Sequence, residues 1–489
     1  MHLERGFMSR HHTTKASAPA RRQLLVARRQ PHVARRPPFI ARRRLITGRH
    51  RRFTAPIAFL ALLAAAPVRG QEPVDLSVDR TVDMALERDA SVRTVSAEAA
   101  EARARLREVR SERLPALTAR GDYTRLSEIP PVEFSLPGMD TSFTAFPVER
   151  DRYQFELRVE QPLFTGFRLG NEVSAAELQA EAAGLLEEQE RATAAFEARR
   201  AYWTLYHAQA LRDAVDRALV HVDEHLDVIR QQVEQGAALR ADLLRARTRR
   251  AEVLVDRVEA ENAIRIARIE LNQVVGRPAT AEVRLLDAPP AEGPTRSLDA
   301  FIAEAVDASP RLHALRRQAD ALEARVRATG GDRLPSLGFF GRYLYARPNP
   351  YYMSDPGEFH GTWELGLSTQ WSIWEGGGRS ARTQVAEAQY DAATARLQDA
   401  SEELVLEVTR QYLETQRAVE ALEAATLLVA EAEETLRVVR LQYQEGAALS
   451  EQVLDAERAW LAARARHARA EAELAIAHAG LLATLGRVR

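Results

Sequence analysis

The sequence predicts an α+β membrane protein made of two repeats, each combining long coiled-coil helices with a two-stranded transmembrane hairpin. Three observations carry that prediction. First, the chain repeats itself. At an offset of 210, Gly166 meets Gly376, Tyr202 meets Tyr412, Gly236-Ala237-Ala238-Leu239 meets Gly446-Ala447-Ala448-Leu449, and Gly276-Arg277 meets Gly486-Arg487. Upstream the offset is 220, where Ala85 meets Ala305 and Arg113-Leu114-Pro115 meets Arg333-Leu334-Pro335. An internal period of this kind means one architecture used twice. Second, the apolar period switches from 3.6 to 2 and back within each copy. Third, one helical pattern runs from Val173 to Glu234. At about 60 residues it spans roughly 90 Å, too long to lie on a globular core, so it must pack against neighbouring helices.

Residues 1–70 are read as a basic leader with a signal peptide. They hold fifteen Arg and one Lys against one Glu, so of 68 basic and 69 acidic residues the remainder keeps 52 and 68, a net charge of −16. A basic leader invites a nucleic-acid reading. Its arginines, however, precede the short apolar run Ile57 to Ala66 and the small-residue break Pro67-Val68-Arg69-Gly70-Gln71, the layout of a secretory signal. That run falls short of the ~20 residues that span hydrocarbon. No nucleic-acid partner is expected. Cysteine is absent, so neither disulfides, thiolate metal sites nor a lipid-modified cysteine holds the body together or to a membrane.

The first repeat is placed at 71–290 and the second at 291–489. From Leu76 to Arg113 apolar residues recur at three and four, and Pro115 ends the helix. Strand hairpins follow at 115–164 and 335–374. In the first, Tyr153, Phe155, Leu157 and Val159 alternate with Gln154, Glu156, Arg158 and Glu160; in the second, Trp363, Leu365 and Leu367 alternate with Glu364, Gly366 and Ser368. Each strand is near the 9–11 residues that cross a bilayer when tilted. Aromatics gather at strand ends, with Tyr123, Tyr153, Tyr343, Tyr345 and Trp363 near the hairpin loops and Phe164, Trp371 and Trp374 near the glycine turns, as interface girdles do. The charged face suits a water-filled lumen and suits a packed core badly. The connections 127–149 and 347–360 read as outer loops. Long helices are expected at 171–234 and 380–444, and return helices at 240–275 and 450–485. Four strands leave open edges that lipid cannot satisfy, so the chain must oligomerise. Two copies give eight strands and a filled interior; three give twelve and a lumen.

Three constellations compete with blander readings. His221-Val222-Asp223-Glu224-His225 matches the H-x-x-E-H spacing of some zinc peptidases, yet the second copy has Glu431-Ala432-Glu433-Glu434-Thr435 there, and a polar helix face explains it. Gly376-Gly377-Gly378 joins a strand to a helix, where phosphate loops occur, but the phosphate-loop patterns are missing and a backbone bend suffices. Asp455 either favours the dipole of its return helix or, repeated by symmetry at a narrow tip, forms a ring that favours cations; its first-copy counterpart is Arg245, and Asp242 corresponds to Gln452. No cofactor, metal or catalytic residue is expected, and the chain is not read as an enzyme.

The twofold pattern of long helix, R-L-P-x-L strand and Q-P-L-F-x-G-x-R turn resembles the TolC-like outer-membrane efflux family. The most specific pieces are Val159-Glu160-Gln161-Pro162-Leu163-Phe164-Thr165-Gly166 and Tyr443-Gln444-Glu445-Gly446-Ala447-Ala448-Leu449-Ser450, followed by Val453-Leu454-Asp455-Ala456. The likeness covers about Leu76 to Arg487. It implies a homotrimer with a twelve-stranded outer-membrane barrel on a periplasmic α-barrel. It also implies a tip, Gly236 to Leu239 and Gly446 to Leu449, that docks a periplasmic adaptor (a membrane fusion protein) coupled to an inner-membrane pump. By position Asp455 resembles a constriction aspartate and Tyr443 a gate tyrosine; the second aspartate falls on Gln452, with Asp242 across the repeat, and the arginine that often follows the tip glycine is Ala448. The expected function is a passive exit duct of an efflux system, lodged in outer-membrane lipid. The alternatives are a type I protein-secretion duct and a periplasmic coiled-coil scaffold or adaptor.

Overall fold

The structure, a computed structural model, describes residues 74–488 apart from 129, 131, 136–137, 139–141, 147–148, 291–292, 294 and 353–354. The expected leader and signal peptide, 1–70, lie outside the described residues. The first copy runs β1 (Val74–Leu76), α1 (Val78–Arg88), α2 (Ala90–Ser111), β2 (Ala116–Arg125), β3 (Val132–Ser135), β4 (Ser142–Phe146), β5 (Asp151–Phe164), α3 (Arg168–Glu234) and α4 (Arg240–Val274). The second runs β6 (Val283–Leu285), α5 (Leu298–Ala308), α6 (Pro310–Gly331), β7 (Ser336–Arg347), β8 (His360–Gln370), α7 (Gly378–Gln444) and α8 (Ser450–Thr484). The offsets read from sequence recur in the elements: α3 and α7 are each 67 residues and 210 apart, and α1 and α5 are each 11 residues and 220 apart. The long helices span roughly 100 Å.

Several boundaries differ from the sequence reading, each for a local reason. The single helix expected from Leu76 to Arg113 is broken at Asp89, whose backbone is extended and whose carboxylate caps Ser91 and Val92 at 2.7 and 3.0 Å. Ser309 makes the equivalent cap in the second copy. A capping side chain satisfies amides that an interrupted helix leaves open. The long helices begin at Arg168 and Gly378, earlier than 171 and 380, directly after residues of positive φ, Phe167 and Gly377. β8 stops at Gln370, so Trp371 and Trp374 lie beyond the strand; the Trp371 indole instead donates to the carbonyl of Arg333 at 3.1 Å. The connection 127–149 is not all loop, because β3 and β4 pair within it. The paired segments β1 and β6, which run parallel, are too short to carry a legible period.

The two glycine positions that the fold uses most tightly are the tip and the strand-to-helix bend. At the tip, Gly236 and Gly446 have φ of 74° and 76°. Ala237 and Ala447 then donate back to the carbonyls of Gln232 and Gln442 at 2.7 and 2.8 Å, a Schellman closure that ends each long helix. At the bend, Gly166 lies against Gly331, and a Cβ on either would sit within 2.4 Å of the other's carbonyl oxygen.

One antiparallel sheet, in the order β2-β5-β7-β8, joins the two copies. Its register aligns Leu157, Tyr343 and Trp363 on one face and Arg158, Arg342 and Glu364 on the other. The helices pack lengthwise, α3 against α2, α4, α6 and α8, and α7 against α6 and α8. Alanine fills the seams (Ala195, Ala198, Ala208, Ala463, Ala475), since a small side chain lets long helices approach closely. At mid-length Tyr202 is fully buried. Its hydroxyl donates to the Leu76 carbonyl at 3.2 Å and accepts from the amides of Leu286 and Asp287 at 3.0 and 2.9 Å, pinning the β1–β6 pair to α3. Its repeat counterpart Tyr412 makes a longer bond, 3.3 Å, to the Arg296 carbonyl at an exposed position.

Leaving buried donors unpaired costs about 1–3 kcal/mol. Tyr202→Phe is therefore expected to destabilise the helical body by about 2 kcal/mol and Tyr412→Phe by less than about 1 kcal/mol, read from urea unfolding followed by helical circular dichroism. Equal effects would mean that the hydroxyl does not anchor the pair.

Candidate gate at the helical tip and candidate lumen in the sheet

The sheet separates charge from apolar surface. One face exposes Leu117, Tyr123, Phe155, Leu157, Tyr343, Tyr345, Trp363, Leu365 and Leu367, because period-2 strands send every second residue to the same side. Tyr123 and Tyr153 pack at 5.0 Å, and Phe359 bridges Tyr153 and Tyr345, so three of the aromatics expected near the loops join in one row through Phe359. The other face carries ion pairs: Arg342 to Glu156 at 3.0 Å and to Glu364 at 3.2 Å, Arg120 to Asp122 at 2.7 Å, and Arg158 to Glu160 at 2.6 Å. Apolar side chains left in water on one face and paired charges on the other is the distribution of a wall between lipid and water. Strands β2 and β8 each pair on one side only.

At the far end of the helices, the tip residues expected to dock a partner are mostly exposed, with Leu239 and Leu449 each 70% exposed. Both stand at helix N-caps and provide no side-chain cap. Of the expected gate residues, Tyr443 and Asp242 share one site. The Tyr443 hydroxyl donates to the side chain of Gln232 at 2.6 Å, and burial, with the nearby Asp242 charge, raises its pKa. Gln452 is spent locally, its side chain accepting from the Leu449 amide at 2.8 Å. Asp455 is exposed and pairs with Arg458 at 3.1 Å. Arg245, its repeat counterpart, lies 3.6 Å from both Asp242 and Glu451 and so links the two return helices.

A buried polar cluster above the tip was not foreseen from sequence. Arg440 of α7 donates to Nδ1 of His221 at 3.0 Å and to Glu457 of α8 at 3.1 Å, and lies 3.6 Å from Glu224. Glu457 is 2% exposed, its other oxygen having no hydrogen-bond partner, and burial pushes its carboxyl above the usual range despite Arg440. His225 is within 3.1 Å of the Ser450 hydroxyl and packs edge-on against Tyr443. His221 packs edge-on against Trp460. The H-x-x-E-H residues thus serve helix contact. A guanidinium already occupies one ring nitrogen of His221 and sits beside His225, and its positive charge opposes a metal ion there. The available signal was a departure from the repeat: the counterparts of His221, His225, Ser450, Glu457 and Trp460 are Glu431, Thr435, Arg240, Arg247 and Arg250. Among the described residues, Asp355, Glu358 and His360 bring potential metal-ligand atoms within 4.8 Å of one another; the first two lie between β7 and β8, and His360 opens β8. Gly376 and Gly377, at φ of 58° and 86°, form the bend into α7.

Burial, and next the charge of Arg440, lowers the His225 pKa to about 4. An opened tip, with an ordinary imidazole near 6.5, binds a proton that the packed tip refuses. Packing is therefore fully favoured above pH 6.5 and loses up to about 3 kcal/mol as pH falls to about 4. Glu457, raised by burial, acts in the opposite sense and offsets part of this. Hydrogen–deuterium exchange corrected for intrinsic rate is expected to show more opening of residues 440–457 at pH 5 than at pH 7.5, and a smaller difference in His225→Gln. The same difference in both proteins would assign the effect elsewhere.

Comparison with known proteins gives a consistent set of relatives. A family model described as outer membrane efflux protein matches residues 81–277 and 301–487, once in each repeat. The chain is 26% identical over 262 residues to outer membrane protein TolC of Vibrio cholerae, covering 53% of this chain and 60% of that protein. It is 24% identical over 258 residues to the proteases secretion protein PrtF of Dickeya chrysanthemi, covering 52% and 55%. It is 22% identical over 332 residues to outer membrane efflux protein BepC of Brucella suis, covering 68% and 72%. The first two alignments thus span little more than half of those relatives. Among solved structures, the outer-membrane channel OprN superposes with a TM-score of 0.70 at 21% identity, covering 84% of this chain and 89% of that one. VceC from Vibrio cholerae superposes at 0.69 and 18% identity, covering 84% and 96%. These likenesses establish the fold.

Proposed function

The chain belongs to the outer membrane efflux protein family, and from that premise we propose that three copies form an outer-membrane duct, the passive exit of an efflux system. The observation that carries this reading is the open four-stranded sheet with one apolar and one charged face. In lipid the unpaired edges of β2 and β8 are untenable at several kcal/mol per backbone group. Pairing β8 of one copy with β2 of the next satisfies both. Three copies close twelve strands, with the Arg342, Glu156 and Glu364 face turned to water and the tyrosine and tryptophan face to lipid. The helices then extend into the periplasm as an α-barrel whose tip meets an adaptor and, through it, an inner-membrane pump. Tyr443, Asp242, Gln452 and Asp455 stand near that tip as gate residues. The duct supplies a path and carries no chemistry of its own. Likeness to the proteases secretion protein PrtF favours a second reading, in which the cargo is a polypeptide. The scaffold alternative gives way to the family match in both repeats.

Light scattering of the detergent-extracted outer-membrane protein, with unboiled gel migration, is expected to give a trimer; a water-soluble monomer would refute closure between chains. The tip is tested separately. Asp is a better N-cap than Leu, so Leu239→Asp with Leu449→Asp preserves or improves the helix starts while removing the exposed apolar pair. This variant is expected to assemble normally and to lose at least tenfold in efflux. Retained efflux would exclude these leucines from docking.

A further inference from the structure

The charged face of the sheet is capped at one end by residues 349–352, which fold back over it. Asn349, 2% exposed, holds the fold-back: its side-chain amide donates to the His360 carbonyl at 2.9 Å and to the Thr362 hydroxyl at 3.3 Å, and its side-chain oxygen accepts from the Tyr351 amide at 3.0 Å. The Tyr352 ring stacks on His360 at 4.2 Å and 9°. The result is a cleft of about 390 Å³ between this lobe and the strands, lined by Arg342, Leu344, Tyr351, Tyr352, Thr362, Trp363 and Glu364.

The chemistry of the cleft is specific. One guanidinium, Arg342, faces two carboxylates, Glu156 and Glu364, leaving one negative charge over. Glu364 keeps 42% of its side chain exposed. Tyr351 and Tyr352 remain 65% and 43% exposed beside it, and Leu344, only 3% exposed, gives an apolar floor. A surplus carboxylate next to exposed aromatic rings attracts a cation through both charge and ring quadrupole, and the apolar floor adds preference for a cation with a hydrocarbon body. Asp355 and Glu358 nearby repel anions. Within the chain, Arg120 lies opposite Glu156 in the sheet register but is already paired to Asp122 at 2.7 Å, so the surplus negative charge stands.

We propose that this cleft is a transit site for amphiphilic organic cations, ammonium or guanidinium groups carrying an apolar body, at the loop end of the duct. The proposal rests on the reading that the charged face lines the lumen, and it names a cargo class for it. Three such clefts would ring the mouth, each weak enough to release what it holds, as conduction requires.

The test uses the full-length protein in planar bilayers with tetrabutylammonium added from the loop side, and hexanesulfonate as an anion that also carries an apolar chain. Tetrabutylammonium is expected to block conductance and hexanesulfonate to leave it unchanged. The blocking concentration is expected to rise about fivefold or more in Glu364→Gln and in Tyr351→Ala. Because Tyr351 is exposed, its variant remains informative if Glu364→Gln fails to assemble. Equal block of both variants and the wild type, or block by hexanesulfonate alike, would overturn the site. A trimer that conducts normally yet ignores tetrabutylammonium would overturn this inference alone, whereas a trimer with no conductance would overturn the duct reading and the site with it.

Discussion

Backbone hydrogen bonding in lipid is the constraint on which the rest depends. Each chain supplies four strands whose apolar face suits hydrocarbon, yet β2 and β8 end with unpaired amides and carbonyls that no lipid can satisfy. In the proposed duct, closure comes from other copies of the chain. Once the strands are shared around a ring, the helices that leave them are shared too, which is why 67-residue helices can exist without a globular core beneath them. Their seams are filled by alanine, and their far ends are closed by the same Schellman turn in both repeats.

Duplication provides the architecture and departures from duplication provide the specialisation. The glycine tips, capped breaks at Asp89 and Ser309, and long helices match across the offset. The cluster around Arg440 does not: four of its five partners, His221, His225, Ser450 and Glu457, are replaced by Glu431, Thr435, Arg240 and Arg247 in the other copy, and Trp460 by Arg250. A symmetric body thus holds one asymmetric junction, where α3 grips the α7–α8 hairpin through a buried carboxylate and a neutral imidazole. Buried pairs of this kind contribute little net stability but penalise the wrong arrangement heavily. The loop end of the sheet shows a similar division, with Phe359 on the aromatic row and Tyr352 over the charged face.

Where the sequence reading failed, the missing quantity was a distance or a local cap. The H-x-x-E-H segment, read from sequence as a polar helix face, lies beside Arg440, a contact that only the fold reveals. Trp371 and Trp374 fall inside the hairpin expected at 335–374, yet β8 ends at Gln370, before the chain bends into α7 through Gly376 and Gly377. For Gln452 and Asp455, proposed above as gate residues, the structure adds local partners: the Leu449 amide for the first and Arg458 for the second. β1 and β6, three residues each, are too short for any period to register.

What the sequence determined by itself was everything with a period: the repeat offsets, the change from 3.6 to 2 and back, the charged and apolar faces of each strand, and the positions of the turns. These follow from bonded geometry and from the sidedness that helices and strands impose on nearest neighbours, so a linear pattern encodes them. What only the tertiary structure decided was which residues from distant segments meet: Tyr202 with Leu286, Arg440 with Glu457 and His221, and Asn349 with Thr362. Those contacts depend on long-range packing, in which a carboxylate and a guanidinium far apart in the chain become partners only after the helices between them have been laid side by side.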